Sequence, residues 1–421
     1  MPFIPFIFFT ALTLYWWRKH EGFDICVYMS SLYAFISFCC LFLVYGNLLG
    51  EGGILFDEMD IELRLIPTVL FCLLIALGML PFSLLYSKDL KRITVSMPWA
   101  LDLVSWLLIA VSLLNFYLVA DSTLDILQGD FDAVRQAHYE GVLTPAQIKA
   151  ESMPVFLKYL YYLNMSTILS LPLFFYYNCF EKEKPWWFKA LLFFSSLSIP
   201  LAGIQAADRT EFTFYAMMLI FCLIFFRKFF SKTFKRILAG IGIPFVALIL
   251  VYVTSVSIAR FEDRGENGAA TSALQYAGQG YLNFCFFWEK AKFDEIATER
   301  EFPLINHVLL KVDSNPERRG ERAGKQGFHI SVFATFIGDV LLDLSPIGVI
   351  IWTIFFFMVC MLVMKRPHRE EISAGEAVSI FVLASIPIFG VFYYKYYNYQ
   401  YSFMFIMAAT TYFISKYKIS L

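Results

Sequence analysis

Residues 212–230 read FTFYAMMLIFCLIFFRKFF, a stretch that carries no charge before Arg227. An uncharged apolar segment of this length crosses the hydrocarbon core of a bilayer, about 30 Å thick, as a single α-helix. Similar runs recur along the chain, in which 59% of the residues are apolar and only 16% are charged. Since a soluble domain carries about 25% charged residues, we predict an all-α, polytopic membrane protein.

The apolar runs predict about 11 transmembrane helices with no separate soluble domain, so residues 1–421 form a single polytopic membrane domain. The predicted spans are residues 2–17, 25–49, 65–87, 98–120, 155–180, 188–206, 212–230, 237–258, 346–364, 374–395 and 401–416.

Lysine and arginine predict the orientation of these spans, because cytoplasmic loops are enriched in both. Alternate short loops hold 18 of them on one side and 6 on the other. The N-terminus is therefore expected outside and the C-terminus inside. Residues 121–154 become an external loop, in which a helix is expected to start at Pro145. Residues 259–328 become a large external loop with helical segments, and 329–345 a partly embedded segment that ends at a break by Ser345 and Pro346.

Charge and metal-ligand spacing exclude other classes of protein. The net charge is −1, which gives no electrostatic support for a nucleic-acid partner. The five histidines are scattered, and no CxxC or HExxH motif occurs. We therefore predict no metal and no cofactor. Cys285 is the one cysteine outside an apolar run, so no disulfide framework is expected.

Arg209 lies in the segment QAADRTEF at 205–212, a connection between two apolar helices that is too short to leave the membrane interface. An arginine in this position either pairs locally or faces a cavity that holds an anion. The alternatives are a salt bridge to Asp208 or Glu211, or a side chain that extends to the interface.

Arg260 and Arg264 follow at the outer end of the eighth predicted span. Their i, i+4 spacing places both guanidinium groups on one helix face, where two bidentate forks suit a diphosphate. The alternative is interfacial anchoring with Glu262 and Asp263 as neutralising partners.

His329 marks the return of the long loop to apolar sequence. Histidine titrates near neutral pH, so His329 could act as a general base, although a single interfacial histidine is also an ordinary polar side chain. The tyrosine-rich tract at 393–401 is interpreted as an interfacial aromatic belt, with stacking on sugars as the alternative.

Together these residues resemble the bacterial oligosaccharide repeat-unit polymerases, the Wzy-type O-antigen polymerases. The resembling features are the ADRTEF segment at 207–212 before an apolar helix, Arg260, the loop glycines Gly278 and Gly280, His329, and the segments FIGDV (336–340) and PIGVI (346–350). The similarity covers topology over the whole chain and sequence over about 203–350. It departs where no glycine precedes Asp208 and where Ile330 follows His329.

The resemblance implies a fold similar to the C-class (GT-C) membrane glycosyltransferases and a position in the bacterial inner membrane, with a periplasmic N-terminus and a cytoplasmic C-terminus. The implied reaction moves a glycan from undecaprenyl diphosphate to the terminal sugar of another lipid-linked repeat. Arg209, Arg260 and Arg264 would bind the diphosphate without a metal. His329 would be the base, with Asp339 in reserve. The implied partners are undecaprenyl-diphosphate-linked oligosaccharide, membrane lipid and, as a further candidate, a chain-length regulator protein.

Two other functions stay open. An O-antigen ligase would use the same donor and chemistry with a different acceptor. A transporter or flippase of lipid-linked oligosaccharide would favour paired repeats and charges within many spans, whereas here the charges gather at one face and no repeat is evident.

Overall fold

The structure is a computed structural model. It describes residues 1–46, 64–85, 89–128, 145–205, 209–238, 240, 242, 268–291, 302–303, 306–307, 311, 321, 324–325, 333–364, 369–397 and 399–416. This part of the chain is all-α apart from one pair of three-residue strands.

The helices and strands have the following bounds. They are α1 (Phe3–Lys19), α2 (Ile25–Tyr45), α3 (Leu65–Met79), β1 (Arg92–Thr94), α4 (Pro98–Gln128), α5 (Pro145–Glu151), α6 (Val155–Tyr162), α7 (Ser170–Phe180), α8 (Trp186–Ser196), α9 (Ser198–Gln205), α10 (Thr210–Phe226), α11 (Gly268–Lys290), α12 (Thr335–Met364), β2 (Glu371–Ser373), α13 (Ala374–Phe389) and α14 (Tyr399–Lys416). Short 3₁₀ turns extend α3, precede α7 and extend α10.

Six helical segments within the described residues are long and apolar enough to cross a membrane, and each overlaps a predicted span. They are Ile25–Tyr45, Leu65–Leu84, Pro98–Ala120, Trp186–Gln205, Thr210–Phe229 and Thr335–Met364. Large apolar side chains such as Leu103, Ile351 and Leu362 are exposed on them, as lipid contact requires. The all-α class is thus confirmed, and the six long apolar helices are consistent with a helical membrane protein. The count of 11 stays a prediction, because the predicted span 237–258 lies almost wholly outside the described residues.

The chain divides into two compact units, each assembled from three separate stretches of sequence. Unit 1 comprises Met1–Ser87, Phe261–Arg369 and Leu383–Ser402, and unit 2 comprises Lys88–Arg260, Glu370–Val382 and Phe403–Leu421. Helices α13 and α14 each contribute residues to both units.

In unit 1, α11 packs against α2, α3 and α12. A Cβ atom at Gly278 would lie 2.7 Å from the backbone nitrogen of Cys40 and 2.9 Å from the backbone carbon of Cys39. The glycine therefore allows α11 to approach the backbone of α2 directly. On its α3 side, the Tyr281 hydroxyl forms a hydrogen bond of 2.7 Å with Thr68 Oγ1. This part of the predicted external loop is therefore buried in protein, and the external position of 259–328 as a whole stays a prediction.

Helix α12 is interrupted at Ser345, which has φ 71° and ψ 171°, immediately before Pro346. Proline cannot continue the hydrogen-bond ladder of a helix, and the break lies at the Ser345–Pro346 pair singled out in the sequence. The segment before it, Thr335 to Asp343, is buried throughout.

In unit 2, the long helix α4 continues to Gln128, eight residues past its apolar span. Its C-terminal part packs against the short helices that follow, with Leu118 and Val119 in one apolar cluster with Ala150 and Tyr161. Helix α5 begins at Pro145, as predicted. Strands β1 and β2 pair in parallel, with Ile93 opposite Ile372.

Candidate functional site

Two of the five predicted site residues, Arg209 and Asp339, belong to the described part of the chain. Arg260, Arg264 and His329 lie outside the described residues. Arg209 belongs to unit 2 and Asp339 to unit 1, so each site is described by itself.

Arg209 occupies the N-cap position of α10, the residue that immediately precedes the span Thr210–Phe229. Its backbone carbonyl accepts hydrogen bonds from both the N–H and the hydroxyl of Thr213, each 3.0 Å long. The preceding candidate span ends at Gln205, so only four residues, 206–209, separate the two segments. The Arg209 side chain is half-buried. Arg209 thus directly precedes an apolar helix, and residues 206–208 of the connection lie outside the described residues.

The surroundings of Arg209 favour an anion. The N-terminus of a helix carries the positive end of the helix dipole, and a guanidinium group adds a full charge with a planar fork that fits phosphate oxygens. Glu211 lies in the first turn of the same helix, where a carboxylate is also favourable. The local chemistry is suited to a phosphate group at the membrane boundary, with Glu211 as the nearby anion of the chain itself.

Asp339 lies on the second turn of α12 and is only 3% exposed. Its Oδ2 accepts a hydrogen bond of 2.8 Å from the backbone N–H of Tyr394. The same turn of chain also caps α12, since the N–H groups of Thr335 and Phe336 each donate 2.9 Å bonds to the carbonyls of Phe392 and Gly390. Asp339 therefore holds the 390–394 turn against the start of α12, which is a positioning role for the carboxylate.

Lys395 follows directly and is buried, with 3% exposure. Its ammonium nitrogen lies 4.8 Å from the ring centre of Phe389 and 4.6 Å from that of Tyr401. Cations over aromatic faces at such distances are attracted by the ring quadrupole. Tyr394 and Tyr396 are buried as well. This part of the tyrosine tract thus surrounds a buried cation and is packed within protein, whereas Tyr399 is exposed. The position of the tract at a membrane interface stays a prediction.

A polar stripe runs along one face of α11, with Gln275, Gln279 and Asn283 spaced four residues apart and all buried. The Asn283 amide donates to the carbonyl of Phe333 at 2.8 Å. Among the described residues, its Oδ1 has no hydrogen-bond partner, and the same holds for the hydroxyl of Thr335.

Thr335 also has φ 64°, which is uncommon for a β-branched residue. Strained backbone and unsatisfied polar atoms tend to collect at functional sites. The prediction of 259–328 as an external loop with helical segments did not include this buried stripe, although the i, i+4, i+8 spacing of the amides is visible in the sequence.

Comparison of the chain with protein-family models, with curated proteins and with solved structures finds no match.

Proposed function

We propose that the protein is a metal-independent membrane glycosyltransferase that joins lipid-linked oligosaccharide repeat units. It would transfer the growing glycan from undecaprenyl diphosphate to the terminal sugar of another lipid-linked repeat, at the periplasmic face of a bacterial inner membrane. Arg209, Arg260 and Arg264 bind the diphosphate, and His329 accepts the proton of the attacking hydroxyl. Asp339 is the reserve base, although its bond to the Tyr394 backbone favours a positioning role.

One observation carries this proposal: Arg209 is half-buried and immediately precedes one candidate membrane span, four residues after the end of the previous one. A lipid diphosphate places its charge at this depth, where the apolar tail meets water. Charge–charge attraction strengthens as the local dielectric constant falls. A guanidinium held there stabilises the negative charge that develops on the leaving diphosphate.

The central experiment measures glycan chain length in cells that lack the chromosomal copy and express Arg209→Ala. We expect single-repeat glycans with no polymer, at normal expression of the protein. Arg209→Lys is expected to rescue poorly, because an ammonium group lacks the planar fork. Normal long-chain glycan in the Arg209→Ala strain would reject the assignment.

Arg64 provides a matched control for Arg209. It is also the N-cap residue of a span, since α3 begins at Leu65, but its side chain is 62% exposed and pairs with Glu289 at 3.0 Å. Arg64→Ala is expected to leave chain length unchanged. If both substitutions shorten the glycan equally, the effect belongs to interfacial arginines in general and the diphosphate assignment of Arg209 fails.

Two further tests address Arg260 and the acceptor. Arg260→Ala should reproduce the Arg209→Ala phenotype. Purified protein supplied only with lipid-linked repeats should make polymer, whereas an O-antigen ligase would make none.

A second candidate function, transport of lipid-linked oligosaccharide, is favoured by the buried ionisable residues Asp339 and Lys395 and by the interruption of α12 at Ser345. Buried charges and broken helices are frequent in transporters. Proteoliposomes containing the purified protein distinguish the two: a transporter moves the lipid-linked repeat across the bilayer without extending it.

A further inference from the structure

The turn between α1 and α2 brings three different metal-ligand side chains together. His20 is the C-cap residue of α1 and Asp24 is the N-cap residue of α2, while Cys26 lies in the first turn of α2. The chain reverses tightly between them, through Glu21 with φ 50° and Gly22 with φ 139°. Gly22 donates its N–H to the carbonyl of Trp17 at 3.0 Å, so the backbone of the turn is fixed.

All three side chains are buried, with exposures of 5% for His20, 4% for Asp24 and 0% for Cys26. One ligand atom from each residue lies within 4.8 Å of the other two. The Nδ1 atom of His20 contacts Oδ2 of Asp24 directly. The other carboxylate oxygen of Asp24 accepts the N–H of Val27 at 3.1 Å, which fixes the orientation of the carboxylate.

We propose that His20, Asp24 and Cys26 bind a zinc ion that ties α1 to α2. The donor set of one imidazole nitrogen, one carboxylate oxygen and one thiolate sulfur is the mixture that zinc accepts, whereas calcium and magnesium require oxygen ligands. The charges also balance: Zn²⁺ with one thiolate, one carboxylate and a neutral imidazole has a net charge of zero. A neutral assembly avoids the cost of burying an isolated ion.

The geometry needs only a small adjustment. Zinc bonds of about 2.0–2.3 Å in a tetrahedron place neighbouring ligand atoms about 3.3–3.6 Å apart. The three ligand atoms lie within 4.8 Å of one another, and Nδ1 of His20 and Oδ2 of Asp24 are in direct contact. Side-chain rotation therefore has to separate these two atoms and bring the Cys26 sulfur to the same distance from both. Loss of the proton between Nδ1 and Oδ2 releases both atoms to the metal. A water molecule or a carbonyl of the turn completes the tetrahedron.

The site is independent of the proposed glycosyl transfer, because none of its three residues takes part in that chemistry. Its role is structural: a zinc ion crosslinks the end of α1 to the start of α2 at a position where the chain has no disulfide, since Cys26 is a free cysteine. Metal binding energy then contributes directly to the stability of the helical hairpin.

The test uses the full chain, purified in detergent with an affinity tag that contains no histidine. Zinc content is measured by elemental analysis, and the apoprotein is titrated with Co²⁺ as a spectroscopic probe. We expect stoichiometric zinc and a near-ultraviolet thiolate-to-cobalt charge-transfer band. Cys26→Ser should abolish that band, and His20→Gln should abolish stoichiometric zinc, while both elute as monodisperse protein.

Cys40→Ser is the matched control, because Cys40 is also buried on α2 but lies four helical turns from the site. It should keep both zinc and the cobalt band. The proposal is overturned if the wild-type protein takes up neither metal, or if Cys26→Ser binds Co²⁺ with the same spectrum as the wild type. Since the wild-type measurements need no variant, a folding defect in either substitution leaves the test decisive.

Discussion

The close contact between α11 and α2 at Gly278 makes a specific prediction about stability. A Cβ atom there would lie 2.7 Å from the backbone nitrogen of Cys40, 2.9 Å from the backbone carbon of Cys39 and 2.7 Å from a methyl group of Leu43. Carbon atoms normally approach to about 3.5–4.0 Å, so Gly278→Ala must push α11 and α2 apart by roughly an ångström.

The size of the effect follows from two opposing terms. Alanine gains up to about 1 kcal/mol over glycine within a helix. Overpacking costs roughly 1–3 kcal/mol, and the upper part of this range applies because two of the three contacts are with backbone, which cannot rotate away. We therefore expect Gly278→Ala to lose about 1–2 kcal/mol of stability, and Gly278→Val to lose more because it adds two further carbons.

The assay is the apparent melting temperature of a fluorescent fusion in detergent, read from the fraction that stays monodisperse after heating. For a chain of 421 residues, a loss of about 1–2 kcal/mol lowers the melting temperature by roughly 1–2 °C. Gly240→Ala is the control, because a Cβ atom there meets no atom of the described residues within 4 Å, and it should melt at or slightly above the wild-type temperature. A Gly278→Ala protein that melts with the wild type would refute the close approach of the two helices.

Three further predictions concern buried polar groups. Asp339→Asn should stay folded and active, because the amide oxygen still accepts the N–H of Tyr394. Asp339→Ala should lose about 1–3 kcal/mol of folding stability. Thermal melting measures the stability of both variants, and glycan chain length measures their activity. Burial raises the pKa of the Cys285 thiol from 9.0 to about 12. At pH 8 the thiolate fraction of Cys285 is therefore about a thousandfold smaller than that of an exposed cysteine. Maleimide labelling of native protein should be very slow and should accelerate as pH rises. Tyr33→Phe removes the 2.8 Å bond to the Pro387 carbonyl and should cost about 1 kcal/mol in the same melting assay.

Each of these has an outcome that contradicts it. Equal loss of glycan chain length in Asp339→Asn and Asp339→Ala, with Asp339→Asn fully stable, would assign a catalytic rather than a positioning role. Rapid labelling of a single-cysteine Cys285 protein, matching that of an exposed Ser152→Cys control, would mean that α11 is solvated. A Tyr33→Phe protein with unchanged melting would indicate that the hydroxyl contributes no net stability.

The features that the sequence predicted correctly are local ones. Apolar run length indicated the spans, because the hydrocarbon thickness translates directly into helix length. The proline at position 145 indicated where α5 begins, and the Ser345–Pro346 pair marked the interruption of α12, because proline removes a backbone donor whatever the tertiary context.

The features that it missed depend on neighbours far away in the chain. Helix α11 carries glutamines and asparagine at 275, 279 and 283, which favour a solvated loop by composition, yet these side chains are buried between helices. Composition does not distinguish a polar face turned to water from one turned to another protein segment. Composition also does not show that Lys395 is buried among aromatic rings from the same part of the chain. The cluster of His20, Asp24 and Cys26 does not depend on distant neighbours, because its three residues lie within seven positions of the sequence. It was missed because the spacing between histidines alone was used to look for a metal site.

Arg64 and Arg209 each immediately precede a candidate membrane span, and the difference between their surroundings is the reason that the functional proposal rests on Arg209. Exposed ion pairs contribute about 0–1 kcal/mol because water and salt screen them, and Arg64, 62% exposed beside Glu289, belongs to this class. Arg209 has the same position relative to its helix but a half-buried side chain. Since the attraction between charges grows as water is excluded, an anionic lipid headgroup gains more at Arg209 than at Arg64. A difference between Arg209→Ala and Arg64→Ala in glycan length therefore measures the chemistry of the site rather than the general cost of removing an interfacial arginine.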